Sequence, residues 1–174
     1  MACLPILIAP HPILKTKAKP VGAVDDTTRR LIDDMLETMY AAPGIGLAAN
    51  QVGVLSRVVV LDVAREGEAP MPMALVNPEL LWRSAEQRIY NEGCLSLPEH
   101  YADVSRPAEI RFRYLDRDGK RQDLQADGLL ATCVQHEIDH LDGILFVDHL
   151  SALKRNIILR KLAKAQKAKE EAAM

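Results

Sequence analysis

His136-Glu137-Ile138-Asp139-His140 holds the side chains best suited to chemistry. Histidines four residues apart lie on one side of a helix, one turn from each other. Two imidazoles so placed can grip one metal ion, and Glu137 beside the first can reach a water on it. A catalytic metal site ordinarily takes a third protein ligand and leaves one position open. Downstream, Asp148 and His149 are available; upstream, Cys94 follows a glycine in Glu92-Gly93-Cys94-Leu95-Ser96, in what reads as a strand-to-loop turn. A thiolate suits zinc or ferrous iron. A lone cysteine is as readily a small buried apolar residue, which is how Cys3 and Cys133 read.

The elements that must position these groups follow from patterning. Asp25 and Asp26 can cap a first helix carrying Leu31, Met35 and Met39 at helical spacing, ended by Pro43-Gly44. Arg57 to Leu61 reads as a buried strand, residues 62–73 as a loop, and Ala74 to Val76 and Glu79 to Arg83 as two extended pieces. Glu109 to Leu115 alternates cleanly, turns at Asp116 to Gly119, and returns as Arg121 to Ala126. Asp127 can cap a helix from about Gly128 to Leu141, stopped by Gly143; its broad apolar face places it inside the domain. A last helix follows Ser151, with Leu153, Ile157, Leu159 and Leu162 in its first half and an end expected to fray beyond Ala163. Strands with segregated helices predict an α+β fold, with antiparallel or mixed sheets around the helix bearing His136 and His140.

The expected organisation is a catalytic domain over residues 1–150 and a basic helix and tail over 151–174, within a chain of 174 residues. A net charge of -2 excludes whole-molecule attraction to nucleic acid or an acidic membrane, so no specific DNA binding is expected. No apolar run is long enough to span a bilayer. Three sparse cysteines argue against a disulfide framework and fit a reducing compartment, and a soluble cytoplasmic protein is expected. The exception to the charge balance is local. Lys154, Arg155, Arg160, Lys161, Lys164, Lys167 and Lys169 occur without an acid until Glu170, which as composition alone is a solvated helical face.

Three separated segments, Gly44-Ile45-Gly46-Leu47-Ala48-Ala49-Asn50-Gln51, Glu92 to Ser96 and Gln135 to His140, resemble the signature motifs of the peptide deformylases, in the family's order. The resemblance implies removal of the N-formyl group from the formylmethionine of newly made polypeptides. It implies one divalent metal ion, Fe2+ natively, with Zn2+, Ni2+ or Co2+ as replacements. By position it makes Cys94, His136 and His140 the ligands and Glu137 the catalytic carboxylate that activates a metal-bound water. Gln51 and the Leu95 N–H become the oxyanion donors, and Gly46 a main-chain contact to the peptide. Ile45, Tyr90, Leu129 and Cys133 fall where the family lines its methionine pocket. The C-terminal helix of related enzymes docks on the ribosome, which the basic tail is expected to do through phosphate contacts. One departure stands out. Some relatives carry an arginine seven residues after the metal-binding cysteine; here that residue is Tyr101, with Arg106 as the nearest replacement.

Two other readings fit parts of the pattern. A peptidase with the same helical motif would use a histidine or carboxylate as third ligand, not Cys94. A structural zinc protein would need a fourth protein ligand, and none is evident.

Overall fold

A computed structural model describes residues 2–173, so Met1 and Met174, the outer limits of the two expected segments, lie outside the described residues. The first helix, α1 (Asp26–Ala41), is capped by the Asp25 carboxylate, which accepts from Thr28 N at 3.0 Å. Seven strands follow before the helix that carries His136 and His140: β1 (Gly46–Ala48), β2 (Val58–Leu61), β3 (Met73–Arg83), β4 (Gln87–Cys94), β5 (Leu97–Pro107), β6 (Glu109–Leu115) and β7 (Arg121–Asp127). Then come α2 (Gly128–Leu141) and α3 (Ala152–Ala173). Both sheets are antiparallel. One has the order β1-β2-β3-β6-β7, and β4 and β5 form a separate two-stranded hairpin.

The large sheet is covered on both faces. Side chains alternate along a strand. From β2, Val59 and Leu61 join Leu75, Ile110 and Phe112 beneath Val134, Ile138 and Leu141 of α2. Val58 and Val60 point the other way, against Ile32, Met35 and Met39 of α1. This two-sided burial is why β2 is an unbroken apolar run. Arg57 sits just ahead of it and ties its start to the end of α2, donating to Leu141 O at 3.1 Å and pairing with Asp142 at 3.0 Å. A third cluster joins the hairpin residues Leu97 and Val104 to Leu14, Phe146 and Leu162 of α3.

The expected elements are present, with four differences. The two extended pieces at 74–83 are one strand; its register shifts between Val76 and Glu79, where Asn77 takes a φ of 51° ahead of Pro78. Asp127 stands at the start of α2, but its side chain makes no capping bond. The β4–β5 hairpin was not anticipated as a unit. Helix α3 runs continuously through the stretch expected to fray.

Candidate metal centre and cavity

The chain brings four chemically active side chains to one point from two elements. Cys94 ends β4 at a tight reversal, Leu95-Ser96, before β5 begins. His136, Glu137 and His140 come from α2, whose opposite face fills the main core. A helix with one side in the core and the other at a site has no solvated face, so its polar groups must find partners or a ligand.

Those groups converge closely. Cys94 Sγ lies 3.2 Å from His140 Nε2, which lies 3.2 Å from His136 Nε2, and the three ligand atoms fall within 4.8 Å of one another. Ligands of a tetrahedral ion with M–N and M–S bonds of ordinary length sit about 3.4–3.6 Å apart. The donor set and spacing therefore fit a divalent ion bound by one sulfur and two nitrogens. Glu137 Oε1 stands beside them, 4.0 Å from His140 Nε2, and is 3% exposed. Neither downstream alternative joins the group. Asp148 accepts from Leu145 N and pairs with Lys15, and His149 bonds to Asp139 at 2.8 Å.

The imidazoles are held differently. His136 Nδ1 faces Glu92 Oε1 at 2.9 Å, which turns its Nε2 toward the sulfur. His140 Nδ1 is buried without a hydrogen-bond partner among the described residues. Burial pushes His136 down, but its bonds to Cys94 and Glu92 outweigh this and hold it well above the ordinary imidazole range. In His140 burial and the neighbouring charge of His136 act together and push it well below. Burial pushes Glu137 up to about 7, against the opposing pull of His136 and Arg106. A carboxylate near that value both accepts and releases a proton at neutral pH.

Glycines make this approach possible. A methyl on Gly46 would meet Glu137 Oε2 at 2.9 Å and Cys133 Sγ at 3.0 Å; one on Gly44 would meet Leu95 Cδ1 at 2.7 Å. The Gly-x-Gly segment thus leaves room for the carboxylate at one glycine and for the turn after Cys94 at the other. Gln51 follows in a short 3-10 turn. Its Oε1 accepts from Ala48 N at 2.9 Å, and its Nε2 donates to Ser96 Oγ at 3.0 Å and reaches Cys94 Sγ at 3.4 Å.

Above these groups lies a cavity of about 640 Å³. Ile45, Tyr90, Leu129 and Cys133, the positions expected at a methionine pocket, line it, as do Gly46, Gln51, Cys94, Leu95, His136 and Glu137. His140 lies behind this wall, 1% exposed. Sequence reasoning missed Ile6, Ile8 and Thr132 as lining residues. No local pattern marks the first two; they arrive because Leu7 N donates to Gln51 O at 2.7 Å. Tyr101 lies at the wall with its ring over Gly93, where an added methyl would meet ring carbons at 2.4–2.5 Å. Arg106 does not replace the missing arginine at the peptide. It is 5% exposed and turned inward to Glu92 and Asp139.

A family model described as polypeptide deformylase matches residues 3–156. A peptide deformylase of Phenylobacterium zucineum is 56% identical over 168 residues, covering 97% of this chain and 99% of that one. One from Agrobacterium fabrum is 55% identical over 169 residues, again covering 97% and 99%. Among solved structures, a peptide deformylase from Ehrlichia chaffeensis superposes with a TM-score of 0.92 at 38% identity, covering 97% of this chain and 99% of that one. A second structure from Ehrlichia chaffeensis, in complex with actinonin, gives 0.91 at 41% identity, with 95% and 98% covered.

Proposed function

The chain belongs to the polypeptide deformylase family of metal-dependent hydrolases, and from that premise we propose that it removes the formyl group from N-formylmethionyl nascent peptides through Cys94, His136, His140 and Glu137. The observation that carries this assignment of residues is the convergence of one sulfur and two imidazole nitrogens within 4.8 Å, with the Glu137 carboxylate beside them at the base of an apolar cavity.

A divalent ion held by Cys94 Sγ and the Nε2 atoms of His136 and His140 would supply Lewis acidity, lowering the pKa of a water and polarising the formyl oxygen. The soft sulfur with two imidazoles suits Fe2+, which we propose as the native ion, and also Zn2+, Ni2+ or Co2+. Glu137 accepts the proton of the attacking water as the C–O bond forms. It then delivers that proton to the amide nitrogen as the C–N bond breaks, leaving formate and a free N-terminal amine. The Gln51 Nε2–H not given to Ser96 and the Leu95 N–H face the formyl oxygen as it gains charge, each worth about 2–4 kcal/mol. Gly46 meets the peptide main chain. Ile45, Tyr90, Leu129 and Cys133 surround an unbranched methionine side chain, excluding water from the reacting bond.

The catalytic body spans residues 1–150, and the helix from 151 carries the second role. One side of α3 is anchored by Leu162, while Lys161, Lys164 and Lys167 are exposed; these face ribosomal phosphates. Substituting all three by Glu weakens sedimentation with ribosomes and leaves turnover of free peptide unchanged; unchanged ribosome affinity would remove this role.

The enzymatic reading is tested by loading anaerobically purified protein with Fe2+ and measuring formate from formyl-Met-Ala, with unformylated Met-Ala as control. Release of formate that stops on adding a chelator is expected. A metal-loaded protein that releases none, or that cleaves Met-Ala instead, would end the proposal.

A further inference from the structure

The three ligand atoms sit on two separate elements, β4 and α2, which meet directly where Glu92 faces His136. One further side chain bridges them. Arg106, in β5, donates Nε to Glu92 Oε2 at 2.7 Å and Nη2 to Glu92 Oε1 at 2.9 Å, while Nη1 reaches Asp139 Oδ2 at 2.8 Å. Glu92 lies two residues before Cys94, and Asp139 immediately precedes His140. Glu92 in turn holds His136 Nδ1 at 2.9 Å, and His149 closes the outer side of Asp139 at 2.8 Å. One guanidinium therefore joins the hairpin that brings the sulfur to the helix that brings both imidazoles.

We propose that Arg106 is a positioning residue of the metal centre, a rivet that sets the hairpin-to-helix spacing before any ion arrives. This rests on the reading that Cys94, His136 and His140 are the ligands. Its physical basis is the planar fork. Two parallel bonds fix both oxygens of Glu92, so that Oε1 can only face His136. The third nitrogen points to α2 in the same plane. Lysine, a point charge, cannot make this pattern. Stability alone does not explain such a group. The Arg106 and Glu92 side chains are each 5% exposed, and a buried ion pair stabilises a fold no more than well-packed apolar residues of the same volume. What the arrangement supplies is a fixed orientation of the ligands.

The test uses the full chain, stripped of metal and titrated with Co2+ against a chromophoric chelator, for wild type and Arg106→Lys. Thermal unfolding of the metal-free proteins and visible absorption of the Co2+-loaded ones are recorded in parallel. The expected result is one Co2+ per wild-type chain, and binding weakened by about 10–100-fold in the variant, with an altered Co2+ absorption pattern. A purely structural role would lower the melting temperature and move neither reading. A folded Arg106→Lys protein with wild-type Co2+ affinity and spectrum overturns the proposal. Should that variant not fold, Asp139→Asn weakens the tie of Arg106 to α2 while leaving Glu92 on His136, and the same two readings decide. If neither folds without metal, Arg106 belongs to the fold alone and the proposal fails. Wild-type protein that binds no stoichiometric Co2+ would overturn both the rivet and the ligand assignment, a result distinct from binding that the variants leave unchanged.

Discussion

Helices α2 and α3 differ in what surrounds them. Of the fourteen residues of α2, nine are buried; of the twenty-two of α3, only Leu162 is. Both carry charged or ionisable groups, but in α2 they meet fixed partners or one another, whereas in α3 they meet water. Chemistry needs the first setting, because a proton-transferring carboxylate gains its altered affinity from burial and its aim from packing. Long-range attraction needs the second, because exposed charges remain free to face a partner. The helices differ in charge content, nine Lys, Arg and Glu residues in α3 against Glu137 and Asp139 in α2, but it is desolvation that decides what those charges can do.

The largest effect should come from the buried end of that contrast. Glu137→Gln keeps the volume and removes the proposed proton carrier. Formate release should fall by about 10²–10⁴-fold, with metal content by elemental analysis unchanged. Activity within tenfold of wild type would show that burial of Glu137 serves the fold only. Next is Gly46→Ala, whose new methyl would press on Glu137 Oε2. Turnover should drop by roughly 10²-fold through misplacement alone, with the melting temperature altered far less than the rate.

Leu162→Ala removes the one buried side chain of α3, beside the partly buried Ile158 and Leu159, and should lower unfolding free energy by about 2–4 kcal/mol in urea titration. Leu153→Ala, on a residue 72% exposed in the same helix, should change it by less than about 0.5 kcal/mol. Equal losses would mean that α3 is held along its length and that the contrast with α2 is overstated.

The pH dependence of the metal-free protein sharpens the same comparison. Burial raises Glu137 from 4.5 in the unfolded chain to about 7 when folded, so the fold favours the uncharged acid. That contribution is complete below pH 4.5 and is lost as pH rises through 7. Melting curves of metal-free wild type and Glu137→Gln should therefore coincide near pH 4 and separate toward pH 8, with the Gln variant the more stable. Parallel curves across this range would show that the carboxylate is already solvated.

The legible parts of the chain were those with a period. β6 alternates and turns back at Asp116 to Gly119 into β7, α1 repeats every three to four residues, and the His136–His140 spacing places both imidazoles on one helix face. The hairpin β4–β5 was not legible, because it is a two-stranded unit whose first strand is mostly exposed and buries Glu92 in place of an apolar residue. β3 read as two pieces because Asn77-Pro78 interrupts a strand that continues through the irregularity. The grouping of Cys94, His136 and His140 was legible through motif and resemblance, but the contacts of Arg106 were not. They depend on Glu92, fourteen residues upstream, and Asp139, thirty-three residues downstream, both brought to it by the fold. Tyr101 could be flagged as a departure from relatives; that its ring lies over Gly93 could not.

The two-faced burial of β2 leaves an ambiguity that apolar packing cannot resolve. Its four residues are Val, Val, Val and Leu, so sliding the strand by one position would still offer each core an aliphatic side chain of nearly the right size. The correct alignment must be enforced from outside the strand. Fixed points lie at both ends: Arg57 holds Leu141 and Asp142 and accepts from Asn77 N, and Asp62 N donates to Ile45 O at 2.9 Å. These end contacts thus act as the index marks of a ruler whose own divisions all look alike.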